Sequence, residues 1–274
     1  MKRHLVIGDL QQKKGCPTRH LEWIAQAVND YKPDVLVQIG DAWDCESLSS
    51  HDGAGSLKME GLRYEDDIAA GNLAFDILNK NITHKCKKYF FYGNHEQRIE
   101  RAINKDPRLV GTIGYHHLNT GKDWKHVPYE SGAPGQLSID GIMYAHFFAN
   151  PNTGKPIGGT VQNRLKNIGQ SFVHGHVQGL SRGEVQFATG RTINGTVCGS
   201  SYLHDEGYKG AANFHWRGIV VLNEVENGGY TDMALSLDYL CRKYEGMSVS
   251  RFLNKNYRDA KSRFSLARSD TWLT

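Results

Sequence analysis

Residues 88–96 read Lys88-Tyr89-Phe90-Phe91-Tyr92-Gly93-Asn94-His95-Glu96. An aromatic run of strand length stops at a glycine, and the three residues after it are all polar. The same grammar occurs twice upstream. His4-Leu5-Val6-Ile7-Gly8 leads into Asp9-Leu10-Gln11, and Asp34-Val35-Leu36-Val37-Gln38-Ile39-Gly40 leads into Asp41-Ala42-Trp43-Asp44. Helical patterns fill the gaps. Thr18 stands ahead of Leu21, Ile24, Ala25 and Val28 at i, i+3, i+4, i+7, and a second helix is expected from about Tyr64 to Asn79. Strand–helix–strand–helix–strand predicts right-handed crossovers and a mainly parallel sheet.

Beyond residue 140 the pattern changes. Gly141–Ala145 and Ser171–Val173 read as strands around a helix near Thr160–Asn167. Val185–Ala188, Thr192–Gly199 and Arg217–Leu222 then follow at turn-separated spacing, as in antiparallel structure. A second sheet packed on the first is the expected architecture.

Ligands of open α/β sheets gather at the carboxyl ends of the strands. The residues expected there are Asp9, Asp41, Asn94, His146 and His176, the last within Gly175-His176-Val177-Gln178. A glycine directly precedes Asp9, Asp41, Asn94 and His176, where a bound group would need close backbone approach. Any one of these residues alone would be an ordinary turn Asp or surface His. Together they form a carboxylate, carboxamide and imidazole set without thiolate, suited to Mn, Fe, Zn or Mg.

The series Gly-Asp-x-Gln, Gly-Asp-x-x-Asp, Gly-Asn-His-Glu, a lone His and Gly-His-x-Gln resembles the calcineurin-like metallophosphoesterases over residues 5 to about 180. The resemblance implies a four-layer α/β-β/α sandwich of two mixed sheets flanked by helices, with two divalent metals at its rim. Asp9 would bind the first metal, Asp41 would bridge both, and Asn94, His146 and His176 would hold the second. His95 would protonate the leaving oxygen, Glu96 would orient it, and Asp44 would support a ligand from behind.

Two departures qualify the likeness. Gln11 and Gln178 stand where the family usually has His, and both of those histidines serve one metal. The paired change reads as a harder, weaker first site that favours Mn or Mg over Zn. It is similar to that of phage-encoded members. Tyr92 replaces the phosphate-gripping Arg of the serine/threonine phosphoprotein phosphatases, which argues against a phosphoprotein monoesterase; Arg98, if helical, would point back to the rim. His51, in the polar stretch 42–61, is a candidate substrate contact, whereas His174, His204 and His215 are expected to be structural.

Composition removes other classes. Five scattered cysteines form no Cys-x-x-Cys pair, so neither a zinc ribbon nor a disulfide framework is expected. P-loop, His-Glu-x-x-His, Gly-x-Ser-x-Gly and Cys-x5-Arg motifs are all absent. No apolar run approaches the roughly 18 residues of a membrane span, and Asp9 interrupts any signal-peptide core. The chain is therefore expected to be cytoplasmic, in a host cytoplasm if phage-encoded.

The net charge of +4 is uneven, because residues 242–274 carry +5 and the remainder −1. Leu253, Tyr257, Ala260, Phe264 and Ala267 form one helical stripe in this basic segment. The expected division is a catalytic domain over 1–240 and a basic amphipathic tail over 241–274. The expected activity is phosphoester hydrolysis by hydroxide generated at a dinuclear metal, Mn foremost, on a phosphodiester such as DNA or RNA. The alternatives are a phosphomonoesterase and a metal-binding scaffold of low turnover.

Overall fold

The computed structural model describes residues 1–50, 56–207, 209 and 213–257, with Lys58 described by its backbone alone. In chain order the elements are β1 (Lys2–Ile7), α1 (Arg19–Tyr31), β2 (Val35–Gln38), α2 (Tyr64–Asn81), β3 (Lys87–Phe91), α3 (Gln97–Lys105), β4 (Trp124–Val127), β5 (Leu137–Ile139), β6 (Ile142–Ala145), α4 (Val161–Ile168), β7 (Phe172–His174), β8 (Leu180–Gln186), β9 (Thr192–Cys198), β10 (Gly218–Glu226), β11 (Gly229–Ser236), α5 (Leu237–Glu245) and α6 (Val249–Asn256). One sheet has the order β11-β10-β1-β2-β3-β4 and the other β5-β6-β7-β9-β8. β1 to β4 pair in parallel, while β10 and β11 join antiparallel. In the second sheet β6, β7 and β9 are parallel.

Strand alternation builds the layers. Leu5 and Ile7 of β1 and Leu36 of β2 enter a core shared with Leu21, Ile24 and Val28 of α1, Phe75 of α2 and Leu240 of α5. Val6, Val35 and Val37, on the opposite face, enter a second core with Ile142, Tyr144 and Val173 of the other sheet. Leu165 and Val161 of α4 close a third core on Phe172, Ile193 and Val197. The result is the expected α/β-β/α arrangement of two mixed sheets flanked by helices.

The C-terminal segment differs from expectation. α5 runs through the boundary placed at 240/241, and its Leu240 and Cys241 are fully buried. α6 buries Val249, Phe252 and Leu253, with Phe252 edge-on to Trp23 at 5.1 Å. Gly246 ends α5 in the left-handed region and Ser248 caps α6, so two short helices dock on α1. α6 ends at Asn256, and Tyr257 has left helical dihedrals at φ −133. Ala260, Phe264 and Ala267 lie outside the described residues, as does His51. Four elements are additional to the sequence reading: α3, β4, β5 and β11.

The loop after β2 is anchored by Trp43, fully buried and stacked on Phe75 with centroids 5.1 Å apart. A methyl group at Gly71 of α2 would collide with the Trp43 indole. Helix propensity alone favours Ala over Gly by about 1 kcal/mol, but overpacking costs about 1–3 kcal/mol. Trp43 has no room to retreat, so Gly71→Ala is expected to destabilise the protein by about 1–2 kcal/mol in a urea melt. A stabilised variant would mean that Trp43 does not fix this loop.

Candidate metal centre

The carboxyl ends of β1, β2, β3, β6 and β7 deliver Asp9, Asp41, Asn94, His146 and His176 to one rim, as the sequence predicts. The glycines before them serve another purpose than the one expected. A Cβ at Gly175 would lie 2.6 Å from Asp9 Oδ1, and one at Gly40 would lie 2.8 Å from the Gly93 nitrogen. These glycines let strand ends approach each other rather than a ligand. Gln11, Asp41 and His176 hold left-handed backbone at φ 39, 52 and 64, a conformation uncommon in non-glycine residues.

Asp41, His146 and His176 present donor atoms that all lie within 4.8 Å of one another. His146 Nδ1 sits 3.0 Å from the Ile39 carbonyl, an acceptor that fixes the ring and turns Nε2 inward. Nε2 then lies 3.2 Å from Asp41 Oδ2 and 3.0 Å from Asn94 Oδ1. His176 Nδ1 approaches the same Asn94 oxygen at 2.8 Å. Donors about 2.1 Å from a shared ion stand about 3.0 Å apart at right angles, so this spacing suits a divalent cation.

The electrostatics demand positive charge. Burial pushes the Asp9 carboxyl up to about 7, and its Oδ2 is buried without a hydrogen-bond partner. Burial works against charge on His146, yet Asp41 beside it outweighs that and lifts the imidazole to about 9. His146 and His95 in turn hold Asp41 far below the usual carboxylate range despite its burial. The raised value of His146 reports the negative potential that a cation would meet there. Burial, and then His146, push His176 down to about 4, leaving it neutral and able to ligate at neutral pH.

The two expected metal positions are not equivalent. Gln178 Nε2 donates to Gln11 Oε1 at 2.8 Å, and the Tyr202 hydroxyl donates to Gln178 Oε1 at 2.6 Å. Gln11 Nε2 lies 3.3 Å from His95 Nε2. Both amides are engaged in a neutral chain on the Asp9 side, whereas Asn94, His146 and His176 all face Asp41. Tyr202 escaped the sequence reading. The strand-end rule would have reached it had it been extended to β9, which runs parallel to β7 and delivers residues 199–202 to the same rim.

His95 lies beside the cluster, its Nε2 3.7 Å from Asp41 Oδ2. Its partner is Asp44, whose Oδ1 stands 2.8 Å from His95 Nδ1. Asp44 is also paired with Lys13 at 3.1 Å, and Lys13 reaches Glu206 at 2.8 Å. Burial opposes charge on His95, but Asp41 and then Asp44 raise it above the ordinary imidazole value. Arg98 donates to the Asp44 carbonyl at 2.8 Å and brings Nη2 to 3.2 Å from His95 Nε2, so it does point back to the rim.

Glu96 departs from expectation. Its carboxylate accepts the backbone N–H groups of Asp41, Ala42, Trp43 and Gly93 at 2.7–3.1 Å and makes no bond to His95. Orientation of His95 falls to Asp44, which therefore supports this histidine rather than a metal ligand. His174 faces away, 2.5 Å from Arg164 and stacked on Phe172. His204 pairs with Glu206 at 2.7 Å and His215 with Ser200 at 2.9 Å. Tyr92 is buried with its hydroxyl 3.1 Å from His126 Nδ1.

Residues 2–196 match the sequence profile of the calcineurin-like phosphoesterase family. No curated protein matches the chain. Among the solved structures that match, one crystal structure does so at 11% identity and a TM-score of 0.37, covering 86% of this chain and 99% of its own.

The asymmetry of the rim has a measurable consequence. Calorimetric titration of metal-stripped protein with Mn is expected to resolve one tight equivalent and a second at least about 10-fold weaker. The double variant Gln11→His/Gln178→His should tighten only the second, since imidazole nitrogens replace engaged amides. Two equal sites in the unaltered protein would contradict this reading of the amide chain.

Proposed function

The chain belongs to the calcineurin-like phosphoesterase family, and from that premise we propose that it is a metal-dependent phosphodiesterase whose substrates are nucleic acids. The observation that carries the reading is the convergence of Asp41, Asn94, His146 and His176 beside a histidine held by Asp44. These four residues would hold a divalent cation, with Mn the best fit to a donor set that lacks thiolate. Asp9 and Asp41 would hold a second one more weakly. Bound there, divalent cations polarise a phosphoryl oxygen and supply a nucleophile from water at neutral pH.

The protein's own part is positioning and proton delivery. His146, turned by the Ile39 carbonyl, keeps Nε2 on the cluster. His95, which Asp41 and then Asp44 raise above its ordinary value against burial, would supply the proton that the departing oxygen needs. Asp44 holds Nδ1 and favours the charged ring, as the supporting carboxylate of a catalytic histidine does. The diester preference is supported by Tyr92. The position that would offer a guanidinium to a doubly charged monoester carries a buried phenol already engaged with His126.

One other reading has a specific observation in its favour. The Gln11–Gln178–Tyr202 chain would suit a metal-binding protein with slow turnover. Metal-loaded protein that binds Mn but hydrolyses neither bis-p-nitrophenyl phosphate nor p-nitrophenyl phosphate would favour it. On the phosphodiesterase reading, Mn supports hydrolysis of the diester above the monoester, and Asp41→Asn abolishes it.

Proton delivery is tested through the leaving group. Nitrophenolate departs with little help, whereas a nucleoside alkoxide must be protonated. His95→Ala should cut kcat on a dinucleotide by about 10²–10⁴-fold and on the nitrophenyl diester far less. Equal losses on both substrates would remove His95 as the acid.

A further inference from the structure

Outside the cluster, the strongest charged feature is a groove of about 710 Å³ lined by α3, the turn at 107–109 and the chain near 47–50 and 59. At about 100° per residue, Arg98, Arg101 and Lys105 fall within an arc of about 60°, while Glu100 points to the far side. All three cations line the groove. Arg101 and Lys105 are exposed, and neither has an acidic partner within 4 Å among the described residues. Arg108 is different, since Asp106 pairs with it at 2.7 Å. Leu48, Met59 and Leu109 supply apolar surface between the charges.

The groove and the catalytic rim share one side chain. Arg98 lines the groove, and Nη2 of the same side chain lies 3.2 Å from His95 Nε2. From there to Lys105 the helix rises about 10 Å. A row of that length matches a repeating anion rather than a single phosphate, and the aliphatic side chains beside it offer van der Waals contact to sugars and bases.

We propose that this groove binds the leaving-group side of a single-stranded polynucleotide, its phosphates tracking Arg101 and Lys105 outward from the scissile bond beside His95. The proposal rests on the phosphodiesterase reading and adds direction to it. The part of the strand that departs after cleavage is the part held by α3, because Arg98, which lines the groove, lies 3.2 Å from the histidine that would protonate the departing oxygen. Product release then requires the α3 contacts to break.

The test is Arg101→Glu/Lys105→Glu, two exposed substitutions outside the catalytic cluster, with Arg101→Gln/Lys105→Gln as the milder pair. Melting temperature is checked against the unaltered protein. Hydrolysis of a single-stranded oligonucleotide and of bis-p-nitrophenyl phosphate is measured with Mn across a salt series. The expected result is a KM for the oligonucleotide raised at least about 10-fold, with the slope of log affinity against log salt shallower by about 1.4 for two lost contacts. The nitrophenyl diester, which has no chain to fill the groove, should be turned over unchanged. An unchanged oligonucleotide KM and salt slope overturns the groove. Turnover of the nitrophenyl diester without any turnover of oligonucleotide also overturns it, and leaves the phosphodiesterase reading standing. Loss of both substrates in the unaltered protein overturns that reading and this proposal with it.

Discussion

The carboxylate of Glu96 sits fully buried between the ends of two parallel strands and gathers four backbone N–H groups, three from residues 41–43 after β2 and one from Gly93 after β3. Hydrogen bonds to a charged acceptor are worth about 1.5–3 kcal/mol each, and a buried amide left without a partner costs a comparable amount. No other group in the vicinity could satisfy four donors at once. This constraint sets the left-handed turn at Asp41 and points its Oδ1 at the His95 N–H, 2.9 Å away. Both the candidate bridging ligand and the candidate acid therefore take their places from one buried carboxyl group whose hydrogen bonds run to backbone N–H groups.

Around that staple the rim divides by charge. On one side Asp41, Asn94, His146 and His176 crowd their donor atoms together, and Asp41 lifts His146 to about 9 against its burial. On the other, Gln11, Gln178 and Tyr202 satisfy each other without net charge, and Asp9 remains as the one carboxylate, pushed up to about 7 by burial. Metal affinity is consequently expected to be graded across the rim. His95 and Arg98 stand at the edge where the cluster meets the α3 groove, so the same few residues connect bond cleavage with the path of the substrate.

Much of this was readable in the sequence for a local reason. A run such as Lys88–Tyr92 that ends in glycine and polar residues announces both a strand and its carboxyl end, so the five rim residues could be assigned without tertiary information. The partners of those residues could not. Asp44 and Glu96 are each near His95 in chain or motif, and only the path of the loop after β2 decides that Asp44 meets the ring while Glu96 turns to the backbone. Tyr202 meets Gln178 across 24 positions, a contact with no local pattern. β4 and β5 are four and three residues long, too short for periodicity to register. Leu253 of the C-terminal stripe docks into the core as an apolar helical face would, whereas the separate helix α5, ended by Gly246, had no pattern of its own to announce it.

The account turns on whether a cation sits among Asp41, Asn94, His146 and His176. Anomalous diffraction at the manganese edge, from crystals soaked in Mn, would answer that without recourse to activity. The predicted result is a strong peak about 2.2 Å from an Asp41 carboxylate oxygen, Asn94 Oδ1, His146 Nε2 and His176 Nδ1, with any second peak weaker and on the Asp9 side. A protein that takes up Mn with no peak touching either imidazole would contradict it.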